Sequence, residues 1–348
     1  MPTLFDPIQL RSVTLRNRIM VSPMCQYSAE NDGSATDWHL VHLGSRAIGG
    51  AGLIMTEMSS IESKGRLSHN DLGIYDDMHI KPLNKIVNFI HDQGAFVGMQ
   101  LGHSGRKAWT SSKGDESSER LVAPSAISFA EGWKTPEALT ENEISEMIDK
   151  YAAAAIRADK AGFDGLEIHA AHGYLVHQFL SPLSNSRTDS FGGSFDNRIR
   201  FLEMIVSEVR KVFPKEKFLS VRISCTDWID GGWNLEESVR LATKLSTLGV
   251  DFMDCSSGGL SPQQQIPIGP GYQVPFSEAI KHEAGINTAA VGMITTSIFA
   301  NEIVEEKKAD LVAIGKESLR NPNFGLTASL DLNNQIDYWP DQYRLARP

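Results

Sequence analysis

The chain has 348 residues, of which 41% are hydrophobic and 22% charged, enough for one large α/β barrel or two smaller domains. Its net charge of −10 argues against a nucleic-acid-binding surface, and no apolar run approaches the ~20 residues of a membrane helix. The first residues lack the features of a signal peptide, and three cysteines without a CxxC pair indicate a reduced protein, so we expect a cytoplasmic location.

Residues 1–17 are predicted to form a short antiparallel cap, after which strand-like and helix-like segments alternate. The eight predicted strands are Arg18–Pro23, Leu53–Glu57, Ala95–Gln100, Gly165–His169, Leu219–Ile223, Phe252–Cys255, Ala289–Val291 and Leu311–Ile314. The seven predicted helices are Trp38–Ile48, Lys81–Gln93, Glu141–Ala161, Arg198–Val212, Leu235–Leu248, Pro275–His282 and Ser297–Glu306. A capping-box pattern, Thr140 followed by Glu143, indicates where the third helix begins.

Eight strand–helix units with continuous apolar strands predict a closed parallel (β/α)8 barrel. A doubly wound sheet is the alternative, but no strand is followed by the GxGxxG pattern typical of that fold. Long polar segments follow the third and fourth strands, at 102–139 and 170–197. Barrel enzymes build their active sites from loops at this end of the strands. No linker or repeat interrupts the pattern, so one domain over residues 1–348 is expected.

Two imidazoles and a phenol follow the fourth strand, as His169, His172 and Tyr174. Paired imidazoles can donate hydrogen bonds to an oxygen that gains negative charge, and a phenol can supply a proton. They can also ligate a metal, or serve only as structural side chains. Because the other strand ends show no set of partner ligands, the sequence predicts acid–base chemistry on a carbonyl compound and no metal site.

Other strand ends carry polar side chains whose roles stay open at this point. Gln100 offers the donors and acceptor that a heterocycle edge requires, although it could equally satisfy loop backbone. Arg222 lies in an apolar run and therefore needs an anion, a polarised acceptor or an ion pair with Glu167. Cys25 and Tyr27 follow the first strand, where they could instead be a buried thiol and a surface aromatic.

The last two strands are followed by glycines, Gly292 and Gly315, the second of which precedes Lys316. In (β/α)8 barrels the loops after strands seven and eight commonly bind phosphate. Glycine lets backbone N–H groups approach an anion, and the lysine adds a positive charge. The two loops together predict a phosphate site.

Three motifs resemble those of the Old Yellow Enzyme family of FMN-dependent ene-reductases. They are the segment Ser184–Phe201, the substrate motif His169–Leu175 and the stretch Ser22–Tyr27. The last is similar to the thermophilic-like branch, in which cysteine replaces a threonine. The resemblance extends from Leu4 to Tyr343.

The resemblance implies a site for FMN at the mouth of the barrel. The residues expected to contact FMN are Ser22, Pro23, Met24, Cys25, Met58, Gln100, Arg222, Gly292, Gly315 and Lys316. Gln100 and Arg222 would bond the pyrimidine edge, Cys25 would tune the flavin potential, and the last three residues would hold the phosphate. The residues expected to bind substrate are Tyr27, His169, His172, Tyr174 and Arg320. The two histidines would bind the carbonyl oxygen and Tyr174 would donate the proton.

The implied activity is a ping-pong ene-reductase reaction. NADPH or NADH reduces the flavin, and the flavin N5 then delivers a hydride to the β-carbon of an α,β-unsaturated carbonyl compound. One residue departs from the family pattern, and one assignment stays open. Lys316 stands where an arginine is usual, and either Arg344 or Arg347 could be the arginine that this branch lends to a neighbouring subunit. A homo-oligomer, dimer or tetramer, is therefore expected.

Two rival functions differ in what they require. A metal-dependent barrel hydrolase would use His169 and His172 as ligands, whereas a non-catalytic flavin sensor would use Cys25 as its responsive group. The related dienoyl-CoA reductase branch is disfavoured, because it carries a cysteine cluster for iron and sulfur and additional domains.

Overall fold

Eight parallel strands close into a barrel in a computed structural model that describes residues 1–108 and 120–347. The strands in the described residues are β1 (Ile8–Leu10), β2 (Val13–Leu15), β3 (Ile19–Val21), β4 (Leu53–Ser60), β5 (Phe96–Gly102), β6 (Val122–Ala123), β7 (Glu137–Ala138), β8 (Gly165–Ala170), β9 (Phe218–Ser224), β10 (Phe252–Ser256), β11 (Asn287–Ala290) and β12 (Leu311–Ile314). The barrel runs β3-β4-β5-β8-β9-β10-β11-β12 and returns to β3. The predicted (β/α)8 barrel and its eight strands are confirmed.

Helices surround the barrel. They are α1 (Asp37–Ile48), α2 (Ile80–Asp92), α3 (Glu141–Lys160), α4 (Leu175–Leu180), α5 (Phe195–Val212), α6 (Leu235–Thr247), α7 (Val274–Ala284), α8 (Ser297–Glu305), α9 (Lys316–Arg320) and α10 (Phe324–Asp331). All seven predicted helices are present. The capping box is also present, since the Thr140 hydroxyl accepts from the Glu143 N–H and the Glu143 carboxylate accepts from the Thr140 N–H. No helix in the described part of the chain is long and apolar enough to cross a bilayer.

Three helices were missed by the sequence prediction, and α4 shows why. It lies in the segment 170–197, which was expected to be a polar loop. All six residues of α4 are buried, so it has no polar face and gives no 3.6-residue alternation to detect. The short α9 and α10 follow the last strand, and α10 has glycine, a poor helix former, at its second position.

The strands read as continuous apolar runs because both of their faces are covered. All eight residues of β4 and all seven of β9 are buried. Side chains on the outer face pack against the helices, and those on the inner face fill the barrel. Such strands fix a rigid frame whose carboxyl ends all emerge on one side.

The predicted antiparallel cap is the hairpin of β1 and β2, which closes the amino-terminal end of the barrel. Leu10 and Leu15 of the hairpin share a buried cluster with Phe218 and Phe252 of the barrel floor. Arg11 at the hairpin turn donates to both carboxylate oxygens of Asp251, at 2.7 and 2.8 Å. With this end sealed, the opposite end is the side on which a site can open.

We predict that Leu15→Ala destabilises the protein, because it leaves a cavity in the cluster that seals the barrel. Leu15 is fully buried, and removing such a side chain typically costs about 2–5 kcal/mol. Urea unfolding followed by circular dichroism measures the change in the free energy of unfolding. Thr14→Ala is the matched control, since Thr14 is the adjacent residue of β2 and its side chain is exposed. Equal stability of the two variants would contradict a sealing role for the hairpin.

Candidate active site at the carboxyl end of the barrel

The two histidines of the fourth barrel strand converge on one point. His169 lies in β8, and the chain then reverses through His172 and Gly173, whose φ angles are +58° and +72°. This left-handed turn brings the Nδ1 atom of His172 to 3.4 Å from the Nε2 atom of His169. The ring planes are perpendicular, with centroids 5.1 Å apart. The structure thus places the two predicted imidazoles next to each other.

Neighbouring elements hold the left-handed turn in place. The His172 N–H donates to the Ser224 hydroxyl at 2.9 Å, and Lys107 Nζ donates to the His172 carbonyl at 2.9 Å. A Cβ atom on Gly259 would lie only 2.5 Å from the His172 Cα atom, so that glycine allows the two backbones to touch. A non-glycine residue at positive φ is uncommon, and here these contacts stabilise it.

Both imidazoles are neutral. Burial lowers the pKa of His169 and of His172 well below the ordinary value, and the nearby Arg222 charge lowers both further. The Ala171 N–H donates to His169 Nδ1 at 3.2 Å, so the single ring hydrogen of His169 is on Nε2. That hydrogen faces the gap between the two rings. The pair is therefore suited to bind an oxygen without adding a net charge.

Tyr174 lies beside the pair, with its ring 5.0 Å from that of His169 and nearly perpendicular to it. Burial, followed by the proximity of Cys25, raises the pKa of the Tyr174 hydroxyl above its ordinary value. The phenol therefore stays protonated at neutral pH. Tyr27 is half exposed, and burial together with Cys25 raises its pKa to about 12. Both phenols are therefore protonated at neutral pH.

Cys25 lies against two carboxylates, Glu57 and Asp71, with one atom of each within 4.8 Å of the others. Burial and these two carboxylates raise the pKa of the thiol, which keeps it neutral. Both carboxylate oxygens of Glu57 already have hydrogen-bond partners, the Gln26 N–H at 3.0 Å and His39 Nε2 at 3.1 Å.

A metal-dependent hydrolase loses support from the geometry. The cluster of Cys25, Glu57 and Asp71 is the one group of three potential metal ligands in residues 1–108 and 120–347. The histidine pair does not belong to it, so the two imidazoles have no third ligand in that part of the chain.

Arg222 is paired within the barrel, but not with the partner considered from the sequence. Its Nε atom lies 3.2 Å from a carboxylate oxygen of Asp254, on the neighbouring strand β10. Glu167 instead accepts a hydrogen bond from Gln100 Nε2 at 2.8 Å. Burial and the charge of Asp254 raise the pKa of Glu167 to about 8. The sequence did contain a signal for Asp254 as the ion-pair partner. Like Arg222, it is a charged residue within an apolar strand.

A cavity of about 530 Å³ opens beside the histidine pair, within the ~300–1,000 Å³ range of small-molecule sites. Eight of the predicted site residues line it, namely Ser22, Pro23, Met24, Arg222, Gly292, Gly315, Lys316 and Arg320. Ten lining residues were not predicted from the sequence, among them the polar Ser256, Tyr272 and Gln273. Ser256 joins the two parts of the site, since its hydroxyl also lies 2.7 Å from His172 Nε2.

The remaining predicted residues lie around this cavity rather than in its wall. Met58 and His169 flank Gly102, where a Cβ atom would lie 2.7 Å from the Met58 sulfur and 3.2 Å from the His169 Cβ atom. Gln100 is buried inside the barrel with Glu167. Arg320, which does line the cavity, pairs with Glu317 at 2.7 Å. Residues 109–119 of the long segment after β5 lie outside the described part of the chain.

The cavity residues fit a heterocyclic cofactor that ends in a phosphate. A Cβ atom on Gly315 would meet nothing closer than Ser22 Cβ at 3.9 Å, so the backbone is open to a ligand beside Lys316. In the same cavity, the Arg222 guanidinium provides a buried positive charge suited to an electron-rich ring edge. These features match the two ends of FMN.

Comparison with known proteins agrees with this geometry. The model of the NADH:flavin oxidoreductase / NADH oxidase family matches residues 3–335. An NADPH dehydrogenase of Halalkalibacterium halodurans is 47% identical over 344 residues, which cover 99% of this chain and 98% of that protein. An NADPH dehydrogenase of Bacillus subtilis is 46% identical over 341 residues, which cover 98% of each protein.

Solved structures show the same fold at lower identity. Morphinone reductase superimposes with a TM-score of 0.82 at 28% identity, covering 95% of this chain and 90% of its own. The old yellow enzyme homologue from Zymomonas mobilis has a TM-score of 0.79 at 27% identity, covering 100% and 99%. The predictions of an FMN-dependent oxidoreductase that uses a reduced nicotinamide are confirmed. The chain belongs to the NADH:flavin oxidoreductase / NADH oxidase family and is a flavoenzyme of the Old Yellow Enzyme type.

Proposed function

We propose that the protein is an NADPH-dependent ene-reductase that reduces the activated C=C bond of α,β-unsaturated carbonyl compounds by a ping-pong mechanism. The single observation that carries this proposal is the convergence of His169 Nε2 and His172 Nδ1, 3.4 Å apart, beside a protonated Tyr174. The names of its relatives, NADPH dehydrogenase, favour NADPH over NADH as the reductant.

FMN, when bound, supplies the hydride that adds to the β-carbon of the substrate. On this proposal Arg222 and Gln100 contact its pyrimidine edge, while Met24, Cys25 and Met58 lie along the ring system. Ser22 and Pro23 line the cavity between the ring and the phosphate end. The neutral thiol of Cys25 adjusts the ring's environment without adding a charge. The buried Arg222 favours negative charge on the ring edge.

The protein's part in the chemistry is to stabilise charge on the substrate oxygen. His169 and His172 each direct one N–H at that oxygen, which becomes more negative as the β-carbon is reduced. Removing one donor of this kind typically costs about 3–4 kcal/mol of transition-state stabilisation. Because both rings are neutral, their donors bind most strongly when the charge has developed.

Tyr174 donates the proton that completes the reduction at the α-carbon. Its raised pKa keeps the hydroxyl protonated until the substrate carbon becomes basic enough to take the proton. Tyr27 and Arg320 are proposed to bound the substrate, since Tyr27 lies near the Cys25 thiol and Arg320 is on the cavity rim.

The phosphate of FMN is proposed to bind at Gly292, Gly315 and Lys316. The two glycines and the lysine all line the cavity, which supports this assignment. Lysine offers a point charge where the family usually has a planar, two-pronged arginine. We propose that the chain works as one flavin oxidoreductase domain, as the family match over residues 3–335 supports. A homo-oligomer, with a role for Arg344 or Arg347, stays a prediction.

Tyr174→Phe is expected to slow reoxidation of the reduced enzyme by an enone about 10²–10⁴-fold, the usual contribution of a general acid. Reduction of the enzyme by NADPH needs no proton from Tyr174 and should change little. Anaerobic stopped-flow absorbance separates the two half-reactions. Tyr151→Phe is the matched control, because this tyrosine lies in α3 and its fully buried hydroxyl has no hydrogen-bond partner among the described residues. Equal slowing of both half-reactions would contradict Tyr174 as proton donor.

His169→Ala and His172→Ala are each expected to weaken phenol binding by about 10-fold or more, because each removes a hydrogen bond to a partly negative oxygen. Phenol resembles the enolate that the pair is proposed to stabilise. Spectral titration of the flavin measures the affinity. His282→Ala, at an exposed position of α7, is the control. If both active-site variants bind phenol as well as the unmodified protein, the donor pair is refuted.

Lys316→Ala is expected to weaken FMN binding by roughly 10-fold, since it removes one charge-assisted contact to the phosphate. Extensive dialysis followed by flavin quantitation measures retention. Lys85→Ala serves as control, because its side chain is 63% exposed on α2. A Lys316 variant that keeps its full flavin content would show that the backbone amides suffice.

A further inference from the structure

The two histidines of the active site can act as donors only if each carries its hydrogen on the correct nitrogen. A neutral imidazole has one N–H and one bare nitrogen, and a hydrogen bond to one nitrogen decides the state of the other. The atoms that face the shared gap are His169 Nε2 and His172 Nδ1. The tautomer of His169 is fixed by the Ala171 N–H, which donates to its Nδ1 atom. No backbone N–H in the described part of the chain donates to a ring nitrogen of His172, so another group must decide its tautomer.

The group in position to do so is Ser256, the last residue of β10. Its hydroxyl oxygen lies 2.7 Å from His172 Nε2, a typical distance for a strong hydrogen bond from a hydroxyl. Ser256 is buried and in register with Ser224, the residue of β9 that accepts the His172 N–H. Two serines on adjacent strands thus hold His172. Ser224 contacts the backbone N–H of the histidine, and Ser256 contacts its imidazole ring.

We propose that Ser256 is a positioning residue that donates its hydroxyl hydrogen to His172 Nε2 and thereby keeps the ring hydrogen on Nδ1, aimed at the substrate oxygen. The inference rests on the proposed function for the identity of that oxygen. It adds a residue whose effect on the substrate oxygen is exerted through His172.

The direction of the Ser256 hydrogen follows from its other neighbour. The alternative acceptor for this hydrogen is Gln273 Oε1, which is 3.4 Å away. That oxygen already accepts a 2.6 Å hydrogen bond from the Ser257 hydroxyl. The Ser256 hydrogen therefore gains more from the bare nitrogen of His172, at 2.7 Å, than from an amide oxygen 3.4 Å away that already accepts one shorter hydrogen bond.

The opposite tautomer would disable the pair. With its hydrogen on Nε2, His172 would present a bare Nδ1 to the N–H of His169, across 3.4 Å. This contact is longer than the ~2.9–3.0 Å of an ordinary N–H hydrogen bond, so it would stabilise that tautomer only weakly. The substrate oxygen would then meet one donor and one lone pair. Ser256 prevents this arrangement.

The test is nitrogen-15 NMR of the flavin-loaded protein labelled at histidine, recorded alone and with phenol bound. Signals of His172 are assigned by their absence in His172→Gln. We expect His172 Nδ1 to be protonated and Nε2 bare in both states. Ser256→Ala should shift the population toward the Nε2–H tautomer and weaken phenol binding about 3- to 10-fold. Ser256→Thr keeps a hydroxyl and should restore both readouts.

Ser257→Ala is the matched control, because the neighbouring hydroxyl bonds Gln273 rather than the imidazole. It should leave the His172 tautomer as in the unmodified protein. An Nε2–H tautomer in the unmodified protein, or an unchanged tautomer in Ser256→Ala, would overturn the inference. The spectrum of the unmodified protein decides the matter even if Ser256→Ala does not fold. A protein with the Nδ1–H tautomer that fails to reduce enones would count against the proposed function alone.

Discussion

The left-handed turn at His172 and Gly173 is the constraint on which the active site depends. Without it, two histidines three residues apart at a strand end would diverge, since the strand would carry the second ring away from the first. The turn returns His172 to a position where its Nδ1 atom lies 3.4 Å from His169 Nε2. Contacts from Lys107, Ser224 and Gly259 hold it there. A strained backbone thus provides the paired donors.

Burial of this turn sets the charges of the site. Both imidazoles become neutral and the Tyr174 phenol stays protonated, because each charged form would be poorly solvated. Burial also affects the charges inside the barrel, where it raises the pKa of Glu167. The Arg222 guanidinium lies there beside Asp254. The site presents hydrogen-bond donors and the positive charges of Arg222, Lys316 and Arg320 toward the cavity. Such an environment stabilises negative charge on a ligand and holds the protons that the reaction needs.

The barrel and much of the site could be predicted from the sequence, because their signals are local. Apolar strands, glycines after β11 and β12, and the spacing of His169 and His172 are all visible along the chain. Features that depend on packing between strands could not be predicted. Asp254 replaced Glu167 as the partner of Arg222 because strand order and register decide which carboxylate is closer. Ser256 was missed because a lone serine at a strand end carries no signal until β10 is placed beside β9.

The central claim is that the histidine pair holds the oxygen of an unsaturated carbonyl compound while its C=C bond is reduced. The most direct measurement is the visible spectrum of the anaerobic, NADPH-reduced protein after mixing with cyclohex-2-enone, together with analysis of the product. The account predicts that the oxidised flavin spectrum returns and that cyclohexanone forms in equal amount to the flavin reoxidised. A flavin that stays reduced, or that reoxidises without forming cyclohexanone, would contradict it.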